Sequence, residues 1–328
     1  MKISVIIPSY KRPLDLRRCL AAMALQSRLA NEVLVIVRDT DTETAAVLSD
    51  FYRELSTIRG IRVTEPGLIA ALNCGLDHAE GDLLVFTDDD SEAQADWLEQ
   101  IHSSFSVPST GAVGGRDWLQ LPAEYSKFRP AEVTRVGALS WYGKQYGNHH
   151  CPLRGHRKKV MFLKGVNMAF RQSALGSYRI DTRLRGTGAQ AGSEIDLCLQ
   201  VKRSGFDVVF DDRILVKHYC APRTAGDCRT DLTGPFFADM CFNNHYLIAK
   251  HFSLFRSLAY FCNERFLGSR SVPGLLAFVK WRLRSDRLIW GRTMQMAQVG
   301  LAGMVSGRRA RATTPQHSAD LHVTESAA

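Results

Sequence analysis

The chain has 328 residues, of which 45% are hydrophobic and 23% charged. This composition excludes a disordered or fibrous protein and fits one large domain with an appendage, or two domains. Forty-two lysines and arginines against 33 acids give a net charge of +9, so we expect an anionic partner such as a nucleotide phosphate, a nucleic acid or an acidic membrane surface.

Strand-like and helix-like segments alternate over the first hundred residues. Residues 3–7 form an apolar, β-branched run that ends at Pro8, which is typical of a buried parallel strand. Further strands are predicted over 32–37, 61–63 and 82–87, and helices over 13–26, 42–55, 68–79 and 93–104. This alternation predicts an α/β fold with a doubly wound, mostly parallel sheet.

The pattern becomes less regular after residue 105. Residues 123–156 are rich in glycine, histidine, tyrosine and basic residues without a clear period, and we interpret them as a long active-site loop. A helix is predicted over 194–204, and strands over 160–163, 167–171, 206–210 and 214–217. Residues 236–303 are predicted to be helical, and residues 312–328 to form a disordered tail.

The positive charge is concentrated near the C-terminus. Between Gly268 and Arg311 there are nine lysines and arginines and one acid, Asp286, which accounts for +8 of the net charge. Apolar residues recur at mixed three- and four-residue spacing over 242–261, and over 274–290 apolar residues and tryptophans stand among lysines and arginines. Together these stretches predict a helical, basic, amphipathic appendage. Such helices bind in the plane of an anionic membrane, or else pack on the rest of the chain with their arginines in solvent. We favour the membrane and expect a catalytic domain over 1–230, a helical, membrane-associated segment over 231–311 and a tail over 312–328.

Export signals and cysteine-based zinc patterns are missing from the sequence. No run of about 18 apolar residues occurs, and the N-terminus lacks the pattern of a signal peptide. The eight cysteines are scattered without any C-x-x-C pair, which argues against a zinc site and favours reduced thiols. We therefore expect a cytoplasmic protein, attached peripherally to the inner face of the membrane.

Three consecutive acids, Asp88, Asp89 and Asp90, follow the predicted strand at 82–87. Doubly wound sheets bind their ligands at this edge. Adjacent carboxylates repel one another unless a cation neutralises them, and Mg²⁺ or Mn²⁺ shared with diphosphate oxygens meets that need. A solvated acidic turn before the next helix is the alternative, but the position after this strand favours a divalent metal site.

Several motifs occur in a fixed order along the chain: SVIIPSY at 4–10, Gly67, NCG at 73–75, GD at 81–82, the aspartate triplet, GVNMAF at 165–170 and SEIDL at 193–197. This ordered set resembles the family 2 glycosyltransferases over roughly residues 1–220. The resemblance implies a GT-A fold and a metal-dependent, inverting transfer of a sugar, of the hexosyltransferase type, from a nucleotide-diphosphate donor. The expected cofactor is Mn²⁺ or Mg²⁺, and the expected acceptor is a hydroxyl of a sugar or a lipid-linked sugar in cell-surface polysaccharide or glycolipid synthesis.

The resemblance also implies roles for individual residues. Asp90 would bind the metal, together with His218, because family members often have a metal-ligating histidine after this late strand. Glu194 falls on the position of the catalytic base, and Asp196 is the second candidate. The donor nucleotide-sugar would be bound by Pro8, Tyr10, Asp39, Asn73, Asp88, Asp89 and Asn167.

Three positions depart from the family pattern. Arg38 stands where many relatives have an acid, which leaves the donor base open, although UDP is the first expectation. Leu72 replaces an arginine beside Asn73, which removes a phosphate contact. Ser193 and Glu194 replace Glu-Asp, so the expected base is one methylene longer than usual.

Three other functions remain alternatives. A catalytically inactive, transferase-like module at a membrane complex would need to have lost the aspartate triplet or the base, and only the substitution at Glu194 supports it. A sugar-phosphate nucleotidyltransferase would need an early glycine-rich phosphate loop, and residues 7–12 contain no glycine. A nucleic-acid-binding protein is the weakest alternative because no such motif is recognisable.

Overall fold

The computed structural model describes residues 1–52, 56–120, 130–188, 190–220, 234–268, 274–276 and 287–313, with side chains from residue 294 onward in the last range. These residues form two compact units. Unit one comprises the described residues of Met1–Ala138, Tyr146–Ile180 and Leu197–Pro222, and unit two comprises those of Leu139–Gln145, Asp181–Asp196 and Arg223–Ala328. The domain boundary predicted near residue 230 lies outside the described residues, as does most of the predicted tail.

The described strands and helices follow the α/β alternation that the sequence predicts. The strands are β1 (Ile3–Ser9), β2 (Glu32–Arg38), β3 (Ile58–Val63), β4 (Leu83–Phe86), β5 (Ser91–Ala93), β6 (Thr110–Leu119), β7 (Ala138–Leu139), β8 (Gln145–Tyr146), β9 (Arg157–Lys159), β10 (Met168–Arg171) and β11 (Asp207–His218). The helices are α1 (Pro13–Ala24), α2 (Thr42–Phe51), α3 (Leu68–His78), α4 (Trp97–Ser104), α5 (Gln172–Leu175), α6 (Ser193–Arg203), α7 (Pro235–His251), α8 (Leu254–Phe266) and α9 (Arg287–Thr313).

One large sheet forms the centre of unit one. Its strand order is β3-β2-β1-β4-β10-β6-β11-β5, and β9 pairs with β11. The strands from β3 to β4 are parallel, β10 lies antiparallel between β4 and β6, and β6 pairs in parallel with β11. Ile3, Val5 and Ile7 of β1 are at most 1% exposed, as expected for a strand with both neighbours in place. The predicted α/β fold is confirmed.

Strand β6 differs from the sequence prediction, which placed no strand there. Three glycines at 111, 114 and 115 lower its strand propensity. The sheet needs them: a Cβ on Gly115 would lie 1.8 Å from the Ile214 carbonyl oxygen, and one on Gly114 would lie 2.5 Å from the Asn167 carbonyl oxygen. Such glycines mark a close approach of neighbouring backbones, which a propensity scale does not detect.

Three other element predictions are corrected. The helix predicted from residue 93 begins at Trp97, because Ser91–Ala93 pairs with β11. Residues 160–163 form no strand, although Val160, Phe162 and Leu163 are buried. The two strands predicted over 206–217 are the single strand β11, whose pairing with β6 shifts between Asp211 and Leu215.

Unit two contains α7, α8 and α9. Helix α9 packs closely on α7, because a Cβ on Gly303 would lie 2.4 Å from the Phe242 carbonyl oxygen and one on Gly307 would lie 2.2 Å from that of Tyr246. Most of the amphipathic stretch predicted around residues 274–290 lies outside the described residues. Among the described helices, none combines the length and hydrophobicity needed to cross a membrane.

Candidate active site

The aspartate triplet lies at the end of β4, where hydroxyl groups fix the turn into β5. The Thr87 and Ser91 hydroxyls are 2.7 Å apart, and the Thr87 hydroxyl also donates to the Val166 carbonyl oxygen at 2.9 Å. The backbone N–H and hydroxyl of Ser91 both lie within hydrogen-bonding distance of the Asp88 carbonyl oxygen. This local network sets the conformation of residues 88–90 without using their carboxylates.

His218 joins two of these aspartates in one cluster. Strand β5 pairs with β11 so that Ser91 stands opposite His218, which places the last residue of β11 beside the triplet. One ligand atom each from Asp88, Asp90 and His218 lie within 4.8 Å of one another, and His218 Nε2 is 3.3 Å from Asp90 Oδ1. Two carboxylates and an imidazole are a donor set that fits Mn²⁺ and other divalent cations.

Asp117 fixes the orientation of the His218 ring. Its carboxylate is fully buried, lies 2.9 Å from His218 Nδ1 and also pairs with Lys164. A carboxylate on one ring nitrogen holds the tautomer and leaves the other nitrogen for a metal, an arrangement found around most ligating histidines. Sequence reasoning missed Asp117 and Lys164, since neither stands in a recognisable motif.

The electrostatics of the cluster favour a bound cation. Burial, followed by repulsion from Asp90, raises the pKa of Asp88 to about 7. Burial also raises the pKa of Asp89 to about 6, although Arg12 opposes it. For His218, burial lowers the pKa, but hydrogen bonds to Asp117 and Asp90 outweigh it and the net shift is upward. Negative charge is therefore costly at this position unless a cation balances it.

Asp89 differs from its two neighbours because protein groups already hold its carboxylate. The Ser9 hydroxyl donates to Oδ2 at 2.7 Å, and Arg12 Nη1 lies 3.1 Å from Oδ1. The same guanidinium is 3.5 Å from Asp90. Arg12 is thus a cation beside the triplet that the sequence prediction did not include.

Pro8, Tyr10 and Asp39 lie at the carboxyl ends of β1 and β2, which pair in parallel. Pro8 is half-buried, Tyr10 is 46% exposed and Asp39 is exposed. The Asp39 carboxylate accepts a hydrogen bond from the Thr40 N–H at 3.0 Å. These side chains form an accessible rim on the edge of the sheet where ligands of such folds bind.

The two predicted donor-binding asparagines, Asn73 and Asn167, both make hydrogen bonds within the protein. The Asn73 side chain exchanges two hydrogen bonds with the Ile180 backbone, both of 2.9 Å. Asn167 is 0% exposed; it accepts from Trp97 Nε1 at 2.9 Å and donates to the carbonyl oxygens of Ile214 and Arg116. Donor binding by Asn73 and by Asn167 stays a prediction, and for Asn167 it requires the buried side chain to gain access to the donor.

Unit two contains both candidates for the base. Glu194 lies in the first turn of α6, is half-buried and accepts from the Ser193 hydroxyl at 3.3 Å. Asp196 is 0% exposed and lies 2.9 Å from Lys250 Nζ and 2.7 Å from His251 Nε2. Burial opposes ionisation of Asp196, but Lys250 and His251 prevail and lower its pKa to about 2. Asp196 is therefore a paired interior charge.

Comparisons with known proteins all find glycosyltransferases. The family model described as "Glycosyltransferase like family 2" matches residues 1–230. A glucosyl-dolichyl phosphate glucuronosyltransferase of Haloferax volcanii is 23% identical over 231 residues, which is 66% of this chain and 69% of that protein.

Two solved structures share the fold at 16% sequence identity. The mannosyltransferase PcManGT of Pyrobaculum calidifontis, in complex with GDP-Man and Mn²⁺, has a TM-score of 0.54 over 93% of this chain and 86% of its own. GalNAc-T7 with UDP, GalNAc and Mn²⁺ has a TM-score of 0.60 over 88% of this chain and 57% of its own.

Proposed function

The chain belongs to the glycosyltransferase-like family 2, and from that premise we propose that it transfers a sugar, with inversion, from a nucleoside-diphosphate donor to a hydroxyl acceptor in a metal-dependent reaction. The observation that supports this most strongly is the cluster of Asp88, Asp90 and His218, backed by Asp117, at the carboxyl end of β4. Such a cluster suits a diphosphate donor, because the oxygens of the diphosphate complete the coordination shell of a divalent cation held by the protein.

Asp88, Asp90 and His218 would hold the metal, which is Mn²⁺ or Mg²⁺ in this proposal. When bound, it supplies positive charge that stabilises the departing diphosphate. The two neighbouring folds solved with Mn²⁺ and a nucleotide or nucleotide-sugar support this assignment. Arg12, which lies 3.1 Å from Asp89 and 3.5 Å from Asp90, is a second positive charge beside the triplet.

The rim of Pro8, Tyr10 and Asp39 would bind the nucleotide, and Asp88 and Asp89 would contact the ribose or the donor sugar. Tyr10 is 46% exposed, so its ring offers a surface for a base, and the Asp39 carboxylate offers an acceptor for base or ribose donors. We expect UDP as the nucleotide. The acceptor would be a sugar or lipid-linked sugar in cell-surface polysaccharide or glycolipid synthesis.

Glu194 would act as the general base. As the acceptor oxygen bonds to the anomeric carbon, its proton passes to the Glu194 carboxylate, and the bond from that carbon to the diphosphate oxygen breaks with its electron pair leaving on the diphosphate. Asp196 would be a positioning residue, because its oxygens are held by Lys250 and His251. A base whose lone pairs are occupied by a buried lysine is poorly suited to accept a proton.

The donor can be identified by thermal unfolding of the purified protein with UDP, GDP, dTDP or CMP, each with and without Mn²⁺. A ligand that binds only the folded state raises the Tm, so we expect a Mn²⁺-dependent increase with one nucleoside diphosphate, UDP first. Asp90→Ala should abolish this increase, and Asp77→Ala, which removes an exposed acid of α3, should retain it. If no nucleotide raises the Tm with Mn²⁺, the inactive-module alternative replaces this proposal.

Glu194→Gln tests the base separately from donor binding. Removing a general base typically lowers kcat by 10²–10⁴-fold, so we expect a loss of roughly that size with the Mn²⁺-dependent Tm increase unchanged. Glu43→Gln, which changes an exposed glutamate in the first turn of α2, is the matched control and should be fully active. Full activity of Glu194→Gln would refute the role of Glu194.

A further inference from the structure

A second cluster of residues of the types that ligate metals lies in unit two. Cys241 and His245 stand one turn apart on α7, and Glu264 comes from α8. Their ligand atoms lie within 4.8 Å of one another, and the three side chains are buried, with exposures of 0%, 1% and 7%. None of these residues belongs to the motifs that carry the proposed transfer reaction.

Neither neutral tautomer of His245 can satisfy the hydrogen bonding of both of its ring nitrogens in this cluster. Nδ1 lies 2.9 Å from the Cys241 carbonyl oxygen, and Nε2 lies 3.2 Å from Glu264 Oε2. A neutral imidazole has one N–H and one lone pair, so either tautomer directs its lone pair at an oxygen acceptor. With the proton on Nδ1, buried Nε2 has no hydrogen-bond partner among the described residues. A cation bound between Nε2 and the Glu264 carboxylate would accept a lone pair from each and so remove the repulsion between them.

We infer that Cys241, His245 and Glu264 bind a structural Zn²⁺ ion that joins α7 to α8. Thiolate sulfur, imidazole nitrogen and carboxylate oxygen are the three ligand types of protein zinc sites, whereas Mn²⁺ and Mg²⁺ prefer oxygen-rich sites. On binding, the Cys241 thiol loses its proton to solvent and the sulfur bonds to the metal. The Met296 carbonyl oxygen, 3.6 Å from Sγ, is a candidate fourth ligand.

Surrounding groups support the three ligands. Arg265 Nη2 lies 2.7 Å from Glu264 Oε2, and the Tyr260 hydroxyl lies 3.4 Å from Oε1. Helix α9 closes the site, because a Cβ on Gly300 would lie 2.8 Å from His245 Cε1 and 3.0 Å from either ring nitrogen. A buried, closed position is typical of structural zinc sites, in which metal binding contributes to folding.

The sequence argued against zinc because it contains no C-x-x-C pair. That pattern describes sites in which one loop supplies two ligands. Here C-x-x-x-H places two ligands on one helical face, and the third comes from 19 residues beyond His245 on another helix. Only the packing of α8 on α7 brings Glu264 to the other two.

Co²⁺ is a probe that distinguishes this cluster from the aspartate site. The protein is stripped of metal with a chelator and titrated with Co²⁺, and the near-ultraviolet sulfur-to-cobalt absorption is recorded. Cys220 contacts His218 in the aspartate site, so the titration is made on Cys220→Ser as well as on the wild type, and the band of the unit-two cluster should be the same in both. We expect a band that saturates at one equivalent, disappears when Zn²⁺ is added and survives in Asp90→Ala.

Variants assign the band to its residue. Cys241→Ser should abolish it, whereas Cys262→Ser, which changes an exposed cysteine of α8, should leave it unchanged. If Cys241→Ser does not fold, the titration of Cys220→Ser decides the case, because that variant keeps Cys241 and lacks the thiol beside His218. Absence of the band from stripped, refolded wild-type protein, or its persistence in folded Cys241→Ser, would overturn the inference and leave His245 as a protonated partner of Glu264.

Discussion

At the scale of single residues, the candidate site depends on side chains that no motif contains. The sequence indicated Asp88, Asp90 and His218, but Asp117 determines how the His218 ring is presented. Asp117 is fully buried between His218 and Lys164, so its carboxylate has two cationic or hydrogen-donating partners and no contact with solvent. It acts on the proposed metal through His218.

Asp117→Asn should therefore weaken metal binding without removing a ligand. An amide in place of the carboxylate lowers the basicity of the His218 ring, and loss of such a partner typically costs 10–100-fold in metal affinity. The Mn²⁺ concentration needed for half of the nucleotide-dependent Tm increase should rise by about that factor. Asp207→Asn, which breaks a pair with Lys159 at 2.8 Å, is the control. Unchanged Mn²⁺ dependence in Asp117→Asn would remove Asp117 from the site.

At the scale of elements, the parallel strands β1, β2 and β4 follow from the local sequence, whereas β6 does not. Strands β1, β2 and β4 are continuous apolar runs, which are typical of buried parallel strands. Strand β6 is glycine-rich, and its position between β10 and β11 depends on contacts with residues 50–100 positions away. These long-range contacts select glycine where a local propensity would predict a loop.

Gly115→Ala tests this interpretation of β6. The new methyl group would meet the Ile214 carbonyl oxygen at 1.8 Å, so the strands must separate, and overpacking of this kind costs about 1–3 kcal/mol. We expect the free energy of unfolding, measured in urea, to fall by at least that amount. Gly165→Ala has no heavy atom within 4 Å of its added Cβ and should unfold like the wild type. Equal stability of the two variants would contradict the role assigned to Gly115.

At the scale of the whole molecule, charge and exposed apolar surface point to an anionic membrane. The region from Gly268 to Arg311 accounts for nearly all of the net charge. On α8, Phe255 is 74% exposed, and Leu254, Leu258 and Phe266, together with Leu267 just after the helix, are each more than 40% exposed. We propose that these helices attach the protein to the inner face of the membrane, since apolar burial and polybasic attraction together produce such binding.

Phe255→Ser separates the apolar contribution from the electrostatic one. Burial of a phenylalanine side chain is worth about 1.5–3 kcal/mol, so the partition of this variant onto vesicles of phosphatidylglycerol and phosphatidylcholine should fall roughly tenfold or more. Binding of the wild type should also decrease as salt increases. Leu14→Ser removes a comparably exposed apolar side chain from α1 and should not change binding. If the wild type stays in the supernatant when the vesicles are sedimented at low salt, membrane attachment is excluded.

The sequence by itself determined the fold class, because hydrophobic periodicity and the order of strands and helices are local properties of the chain. It also placed three acids at the end of β4, since a buried strand must end where a polar triplet begins. It assigned Asn167 to the donor, although the structure buries this residue against Trp97 and β11. A sequence motif shows which residue types occur at which positions, but it does not show whether their side chains are exposed to solvent.

Only the tertiary structure decided the partners of these residues. The pairing of β5 with β11 brings His218 to Asp90 across 128 positions of sequence, and Asp117 reaches His218 from a strand that was not predicted. The same holds for Cys241, His245 and Glu264, which two helices assemble. Such clusters arise from long-range packing. The local sequence of one segment does not show which distant segment it will contact.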